Sequence, residues 1–318
     1  FTGRKTLVRF AQHFHGWNDN VAGAPPPLAD EGVHPHALGI PDETLGNVVV
    51  IPQNDAELLR QTLREEEVAA VILEPTGPNA GMVPLDPAML PLLRMATQEA
   101  GAVLIFDEVV TGFRVSPGGV QAATGVTPDL TTLAKVLAGG LPGGAVAGRT
   151  EVVGQIELGA GERRDSASRI PHPGTFNANP LSAAAGGAAL EIVATGEPHQ
   201  HADALNRRLV RELNAVLREE GVAGCAYGHA SMFHLVLGAE CPPPADGFSW
   251  DWQGRPGARL PATPGKAIWP LRRGMLNEGV DLMGTGGMVS AAHTEQDGSH
   301  TVEAFRRTVR QMKAEGAL

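Results

Sequence analysis

The chain has 318 residues, a formal net charge of −10, 42% apolar residues and two cysteines. This length and apolar content allow a substantial core and suit two domains better than one. The negative charge and the lack of any Lys/Arg cluster interleaved with aromatic residues argue against nucleic-acid binding. Two cysteines are too few for a disulfide framework, and no apolar run approaches a membrane span. We therefore expect a cytoplasmic protein that binds small molecules.

Helix-like and strand-like segments alternate from residue 54 onward. The segment 54–67 has leucines at helical spacing behind a cap at Asn54 or Asp55, and the apolar run VAAVIL follows it. The segment predicts a helix that leads into a buried strand.

The next segment repeats this scheme. In LDPAMLPLLRMATQEAG, Asp86 is the predicted cap, Pro87 the first helical residue and Gly101 the stop, and the apolar run AVLIFD follows. Alternating helices and continuous apolar strands are typical of parallel sheets covered by helices. The sequence therefore predicts an α/β fold.

Three chemically useful side chains follow or end such apolar runs: Glu74, Asp107 and Lys135. In parallel sheets, ligands bind beyond the carboxyl ends of the strands, where the loops converge. We expect all three residues at that edge of the sheet.

The second half of the chain has a different organisation. A small-residue segment, 179–196, predicts a closely packed helix, and a long amphipathic helix follows it. Shorter strand-like and helical segments occupy the remainder. We predict a large domain over 1–196, a bridging helix over 197–220 and a smaller α+β domain over 221–318.

Lys135 differs from the other lysines because a strand-like run precedes it and a Gly-rich segment, VLAGGLPGGAVAG, follows it. Such a backbone can come close to a bound ligand. An amine in an apolar, partly dry site loses its charge more readily and can form a Schiff base with a carbonyl. The sequence has three further lysines, and solvent exposure explains them: Lys5, Lys266 and Lys313.

Pyridoxal phosphate is a cofactor that needs both a lysine of this kind and a carboxylate against its ring nitrogen. Asp107, at the end of a buried strand, would pair strongly with a pyridinium in a low dielectric. Taken singly, a strand-end aspartate is more often a cap, and a strand-end lysine is more often a surface residue. Together they favour the cofactor site.

Two stretches, LIFDEVVTGFR (104–114) and PDLTTLAKVLAGGLPGGA (128–145), resemble the signature of class III pyridoxal-phosphate aminotransferases of fold type I. The resemblance is greatest to the branch related to glutamate-1-semialdehyde aminomutase. Four further stretches support it: FHGW (14–17), EPTGPNAG (74–81), GTFNANPLSAAAG (174–186) and VSAAHT (289–294). The resemblance implies a mostly parallel sheet flanked by helices, with a smaller α+β domain at the C-terminal end.

The resemblance also implies roles for individual residues. Lys135 would hold the cofactor as a Schiff base and act as the catalytic base. Asp107 would pair with the pyridine nitrogen. Val109 would pack on one face of the ring, and Phe14 would stack on the other, where the family commonly carries Tyr.

Four further residues receive roles in the same way. His15 would flank the cofactor, and Glu74 and Asn79 would orient groups around its phenolic oxygen. Thr175 resembles the residue that reaches the cofactor phosphate of the neighbouring subunit. The site would then be shared across a two-fold homodimer.

Two features depart from the family pattern. The family's phosphate-binding turn at a helix N-terminus would lie before Phe1, so how the phosphate is anchored stays open. Thr285 stands where the aminomutases carry Glu. This difference favours an aminotransferase of other substrate choice over the mutase reaction.

Two alternatives remain open at this stage, and a third is considered and not predicted. One is the aminomutase itself, and another is a non-catalytic, truncated homologue that acts as a binding or assembly subunit. The third is a metal site, suggested by three His-x-His pairs: His13 with His15, His34 with His36, and His199 with His201. These pairs lack a third ligand at a diagnostic spacing, so we interpret them as loop or helix-surface histidines and predict no metal.

Overall fold

The protein is described here by a computed structural model. It describes residues 1–24, 34–35, 38–157, 169–250 and 263–318. This part of the chain forms two compact units: Phe1–Ala80 with Leu85–Ala194, and Gly81–Pro84 with Thr195–Leu318.

The first unit is built on a six-stranded sheet. Its strands are β1 (Thr6–Phe10), β4 (Val48–Ile51), β5 (Val68–Leu73), β6 (Val103–Glu108), β7 (Leu130–Ala134) and β8 (Gly144–Gly148). A two-stranded ribbon consists of β2 (Gly23–Ala24) and β3 (His34–Pro35). The large sheet has the order β4-β1-β5-β6-β7-β8, and neighbouring strands are parallel except β7 and β8. The predicted α/β architecture is confirmed.

Helical segments connect these strands. They are α1 (Ala56–Glu65), the single turn α2 (Pro78–Gly81), α3 (Met89–Ala100), α4 (Gly119–Thr124), α5 (Thr150–Val153) and α6 (Pro180–Ala194). A 3-10 turn, Lys135–Ala138, follows β7 directly. The core of the unit consists of apolar strand residues and the inner faces of α1 and α3, including Phe10, Leu59, Leu93 and Phe106.

The helix ends show where local chemistry decides the boundaries. Asp55 caps α1 by accepting a hydrogen bond from the Leu58 amide at 2.9 Å. The α3 helix begins at Met89, two residues later than the predicted start at Pro87. The reason is that the Asp86 carboxylate accepts from the Ala88 amide, at 2.9 Å, in a turn that precedes the helix. Gly101 ends α3 in a left-handed conformation, as predicted.

The second unit packs three helices on an antiparallel sheet. The helices are α7 (Glu197–Glu219), α8 (Gly265–Asn277) and α9 (Glu295–Ala314), and the strands are β9 (Gly224–His229), β10 (Met232–Leu237) and β11 (Gly286–Met288). The sheet order is β11-β10-β9. Two buried amides attach α7 to this sheet: Asn214 bonds both backbone groups of Ala226, and Asn206 donates to the carbonyls of Ala230 and Met232.

Cys225 and Cys241 form a disulfide bond with a sequence separation of 16 residues. The presence of only two cysteines predicts no disulfide framework. The pairing arises because β9 and the segment after β10 bring the two buried sulfurs together beside Tyr227 and Val236. Within the described residues, no helix has the length and apolarity needed to cross a bilayer.

Reduction of this disulfide should destabilise the second unit. Closing a loop of this length restricts the unfolded chain, and the expected loss of unfolding free energy is about 3 kcal/mol. Urea unfolding with and without reductant, alongside a count of free thiols, measures the effect. The Cys225→Ala/Cys241→Ala double variant is the control, because its stability should not respond to reductant. Unchanged stability after both thiols are freed would contradict the expectation.

Candidate active site

Three neighbouring parallel strands, β5, β6 and β7, bring the predicted residues to one edge of the sheet. Glu74 follows β5 directly, Asp107 lies near the end of β6, and Lys135 follows β7. In the register of the last two strands, Asp107 stands opposite Thr132, three residues before the lysine. The fold therefore presents two carboxylates and one amine at this edge.

Asp107 is only 8% exposed and accepts three hydrogen bonds. Its Oδ2 lies 2.8 Å from His15 Nδ1, and its Oδ1 accepts from the Val109 amide at 3.1 Å and from the Thr132 hydroxyl at 3.2 Å. A carboxylate has about four lone-pair positions. Asp107 can therefore accept one more donor.

Glu108 performs a different task from its neighbour Asp107, because successive strand residues point to opposite faces of the sheet. Its Oε2 accepts from the Val120 amide at 2.8 Å and from the Thr111 hydroxyl at 3.1 Å, and its Oε1 accepts from Gln121 Nε2 at 3.2 Å. The carboxylate thus satisfies the first turn of α4. Glu108 supports the structure, whereas Asp107 faces the candidate site.

The turn after β1 carries an exposed aromatic ring next to a buried imidazole. The Phe14 side chain is 65% exposed. The His15 side chain is 1% exposed, and its Nε2 has no hydrogen-bond partner among the described residues. A buried polar atom left without a partner is rare in native structures and indicates a missing ligand or water.

Glu74 is a buried carboxyl group enclosed by backbone amides. Its Oε1 accepts from the Phe14 amide at 2.8 Å, and its Oε2 lies 3.5 Å from the Ala80 amide. Asn79 and Ala80 both adopt left-handed backbone conformations, which turn the chain around the carboxyl group. Burial raises the pKa of Glu74 to about 7, the amides of Phe14, Asn79 and Ala80 oppose this, and the charge of Asp107 adds to it.

Lys135 begins the 3-10 turn with a left-handed backbone, φ 50°. Such a conformation is costly for a residue with a side chain and is frequent at functional sites. Small residues of α6 pack against this turn: a Cβ on Gly186 would collide with the Leu137 carbonyl, and one on Gly139 would collide with Ala185. The sequence predicts a partly dry amine, but Lys135 is exposed to solvent. The cause is its position in the turn after β7, beside β8, whose residues are all exposed.

The remaining predicted residues are placed as follows. Val109 is half-buried beside Asp107, and Asn79 is exposed. Thr175 is exposed in the turn before α6, and the described part of the chain shows no hydrogen bond from it to the other candidates. Thr285, which precedes β11 in the second unit, is half-buried, and its carbonyl accepts from the Leu235 amide at 2.8 Å.

Two buried residues beside the site were not predicted. Arg9, in the middle of β1, is 1% exposed and donates to the carbonyls of Val21 and His13. His13 is 2% exposed; it lies in a loop after β1, as interpreted, but its side chain is buried. The only sequence feature that could have indicated a buried polar group here was the charged Arg9 inside the apolar run TLVRF.

The metal alternative has no further support in the described residues, where no group of three or more His, Cys, Asp and Glu side chains converges. The ring nitrogens of His13 are both engaged by the protein. His36 lies outside the described residues.

Comparison with known proteins identifies the family. Residues 1–229 match the model of the class III aminotransferases, so the chain belongs to that family. An omega-transaminase from Sphaerobacter thermophilus is 32% identical, with a TM-score of 0.82, and the match covers 98% of this chain and 69% of that one.

Two further structures are similar. A transaminase with pyridoxal phosphate bound is 28% identical, with a TM-score of 0.81 and coverage of 100% of this chain and 70% of that one. A β-phenylalanine aminotransferase from Variovorax paradoxus is 28% identical, with a TM-score of 0.75 and coverage of 100% and 66%. The fold is that of the fold type I transferases, and the chain is a pyridoxal-phosphate-dependent enzyme of this class.

The raised pKa of Glu74 makes stability depend on pH. The neutral carboxyl group contributes stability that is fully present below its ordinary pKa of 4.5 and is lost as the pH rises through about 7. The side chain of Glu74→Gln is neutral at every pH, so the variant does not lose this stability. The unfolding free energy of the variant relative to that of the wild type should therefore increase across this pH window, by up to about 3 kcal/mol.

Urea unfolding at several pH values measures this gain. Glu67→Gln, at an exposed position after α1, is the matched control and should follow the wild-type profile. A constant difference between Glu74→Gln and the wild type at all pH values would contradict the assignment.

Proposed function

We propose that this chain is an aminotransferase that moves an amino group from a donor to a keto or aldehyde acceptor in two successive half-reactions. The donor class we propose is an amine or amino acid whose amino group is not on the α-carbon. The similarity to an omega-transaminase and to a β-phenylalanine aminotransferase supports this class. The observation that carries the proposal is the buried Asp107, with one acceptor position left, on the strand beside the one that Lys135 follows.

The residues present fit pyridoxal phosphate. Its ring nitrogen needs an acceptor, and Asp107 can accept one more donor. Its ring needs a flat apolar contact, and Phe14 offers an exposed ring in the same neighbourhood as the partnerless His15 Nε2. When bound, the cofactor draws electrons from the substrate carbon and so makes its proton removable.

Asp107 and its partners would hold the ring nitrogen. The hydrogen bonds from His15, Val109 and Thr132 fix the orientation of its carboxylate. The remaining acceptor position would take the N–H of the ring. Val109 would pack on the ring face opposite Phe14.

Lys135 would supply the amine that captures the cofactor aldehyde and then carries a proton at its Nζ. An unprotonated amine is needed for both tasks. The left-handed backbone at Lys135 directs the chain into the 3-10 turn and fixes where the side chain departs from the sheet edge. Glu74 would hold the Phe14 turn by its hydrogen bond to the Phe14 amide, and Asn79 would lie at the rim of the site.

We further propose a homodimer in which Thr175 contacts the cofactor phosphate of the neighbouring subunit. Support comes from apolar side chains exposed around α6 and β8: Val146 is 54% exposed, Phe176 80%, Leu181 68% and Ile192 61%. Large exposed apolar areas mark interaction surfaces. A second copy that covers them would also enclose the exposed Lys135.

Binding of pyridoxal phosphate tests the proposal. The wild type and Lys266→Ala, a matched surface-lysine control, should acquire a visible absorption band that amine donors bleach, and Lys135→Ala should not. β-Phenylalanine and primary amines, paired with pyruvate or 2-oxoglutarate, form the donor panel. A band retained in Lys135→Ala would refute the role of this lysine.

The same assay separates the alternatives. Turnover of glutamate-1-semialdehyde without an external acceptor would support the aminomutase. A wild-type protein that binds no pyridoxal phosphate would support the non-catalytic binding or assembly subunit.

The adjacent acids provide a second prediction. Asp107→Asn should weaken pyridoxal phosphate binding and abolish bleaching, since the amide keeps the shape but not the charge. Glu108→Gln should instead lower the unfolding free energy by about 1–3 kcal/mol, because it disturbs buried hydrogen bonds to α4, and should leave the band intact. Titration of the band and urea unfolding of both variants measure the two effects. Equal effects of the two variants on binding would contradict the division of roles.

A further inference from the structure

The imidazole of His13 lies where three adjacent strands end. Its Nδ1 accepts from the Glu74 amide, just past β5, at 2.9 Å. Its Nε2 lies 3.2 Å from Oε1 of Gln53, just past β4. His13 itself follows β1, the strand between those two in the sheet. One side chain thus connects the carboxyl ends of all three.

These contacts define which ring nitrogen of His13 carries a proton. Because Nδ1 accepts a hydrogen bond, it carries no proton, and Nε2 must carry the proton that is donated to Gln53. Burial lowers the pKa of His13 to about 3, and the charges of His15 and Arg9 act in the same direction. The ring is therefore a neutral acceptor under working conditions.

The turn after β1 is attached to Glu74 at two points. The Glu74 amide donates to His13 Nδ1, and in return Glu74 Oε1 accepts from the Phe14 amide at 2.8 Å. Arg9 donates to the His13 carbonyl and holds the main chain of the turn. His15, two residues after His13 in the same turn, forms the hydrogen bond with Asp107. His13 is the only side chain of this turn that holds the Glu74 backbone among the described contacts.

We infer that His13 is a positioning residue of the candidate site: by accepting from the Glu74 amide it fixes the turn that presents Phe14 and His15 to the cofactor. The inference rests on the proposed function and goes beyond it, because His13 has no predicted contact with the cofactor. Without the acceptor, the buried Glu74 amide would have no partner, and a buried amide does not stay in that state when the chain can move to solvate it. The turn would shift, and with it the aromatic ring and the partner of Asp107.

Three substitutions separate the two hydrogen bonds of the ring. In His13→Asn, the Oδ1 atom can take the place of Nδ1 and keep the bond to Glu74. In His13→Gln, the longer side chain reaches toward Gln53 and loses the acceptor near Glu74. His13→Leu removes both bonds but keeps an apolar side chain of similar bulk.

Two readouts are measured at about pH 8, where Glu74 is mostly ionised. The first is the dissociation constant of pyridoxal phosphate, and the second is hydrogen exchange of the peptide containing the Glu74 amide in protein without cofactor. Loss of one buried hydrogen bond corresponds to about tenfold in an equilibrium constant. We expect about tenfold weaker binding and faster exchange for His13→Leu and His13→Gln, and near-wild-type values for His13→Asn.

Asn214→Leu is the control for general destabilisation, since it removes buried hydrogen bonds to β9 in the second unit. It should lower the stability of the protein and leave the affinity for pyridoxal phosphate unchanged. If the wild type binds no pyridoxal phosphate, the proposed function fails, and the exchange data still test the hydrogen bond. If the wild type binds pyridoxal phosphate, two results would overturn the positioning role. One is an affinity of His13→Leu equal to that of the wild type. The other is a loss of affinity in both Asn214→Leu and His13→Asn that is as large as the loss in His13→Leu.

Discussion

The candidate site depends on the buried hydrogen bond between His15 and Asp107. It joins the turn after β1 to the end of β6 across the intervening β5, because the sheet order is β1-β5-β6. A carboxylate removed from water is stable only when its oxygens are hydrogen-bonded, and the imidazole, the Val109 amide and the Thr132 hydroxyl meet that need. The bond therefore keeps Asp107 compatible with burial and at the same time fixes the turn that carries Phe14.

The pleat of β6 explains how one strand can supply both a functional and a structural acid. Asp107 and Glu108 point to opposite faces. One is directed to the edge where ligands of parallel sheets bind, and the other completes the first turn of α4. Asp107 thus contributes to the site on one face of the sheet, and Glu108 stabilises the next helix on the other face.

The sequence was sufficient to predict the α/β fold and the shared sheet edge of Glu74, Asp107 and Lys135, because strand periodicity and strand ends are local properties. It was insufficient for His13 and Arg9. Their burial results from the pairing of β1 with both β4 and β5, and such non-local pairing leaves no local pattern. The disulfide was missed for a similar reason, since it depends on how the chain returns after β10. The resemblance to the class III family came from motifs, and it placed His15 only beside the cofactor. The hydrogen bond between His15 and Asp107 is visible only in the structure.

Lys135 shows what a single chain provides to this lysine and what other groups have to supply. The protein fixes the backbone of this lysine firmly: the left-handed turn is held by the close approach of α6, where only small residues fit. It does not bury the amine, and the neighbouring β8 is exposed along its whole length. A nucleophilic lysine needs a partly dry environment. The geometry of the lysine is therefore set within one chain, whereas its desolvation has to come from the cofactor and from whatever covers the exposed apolar surface around β8 and α6.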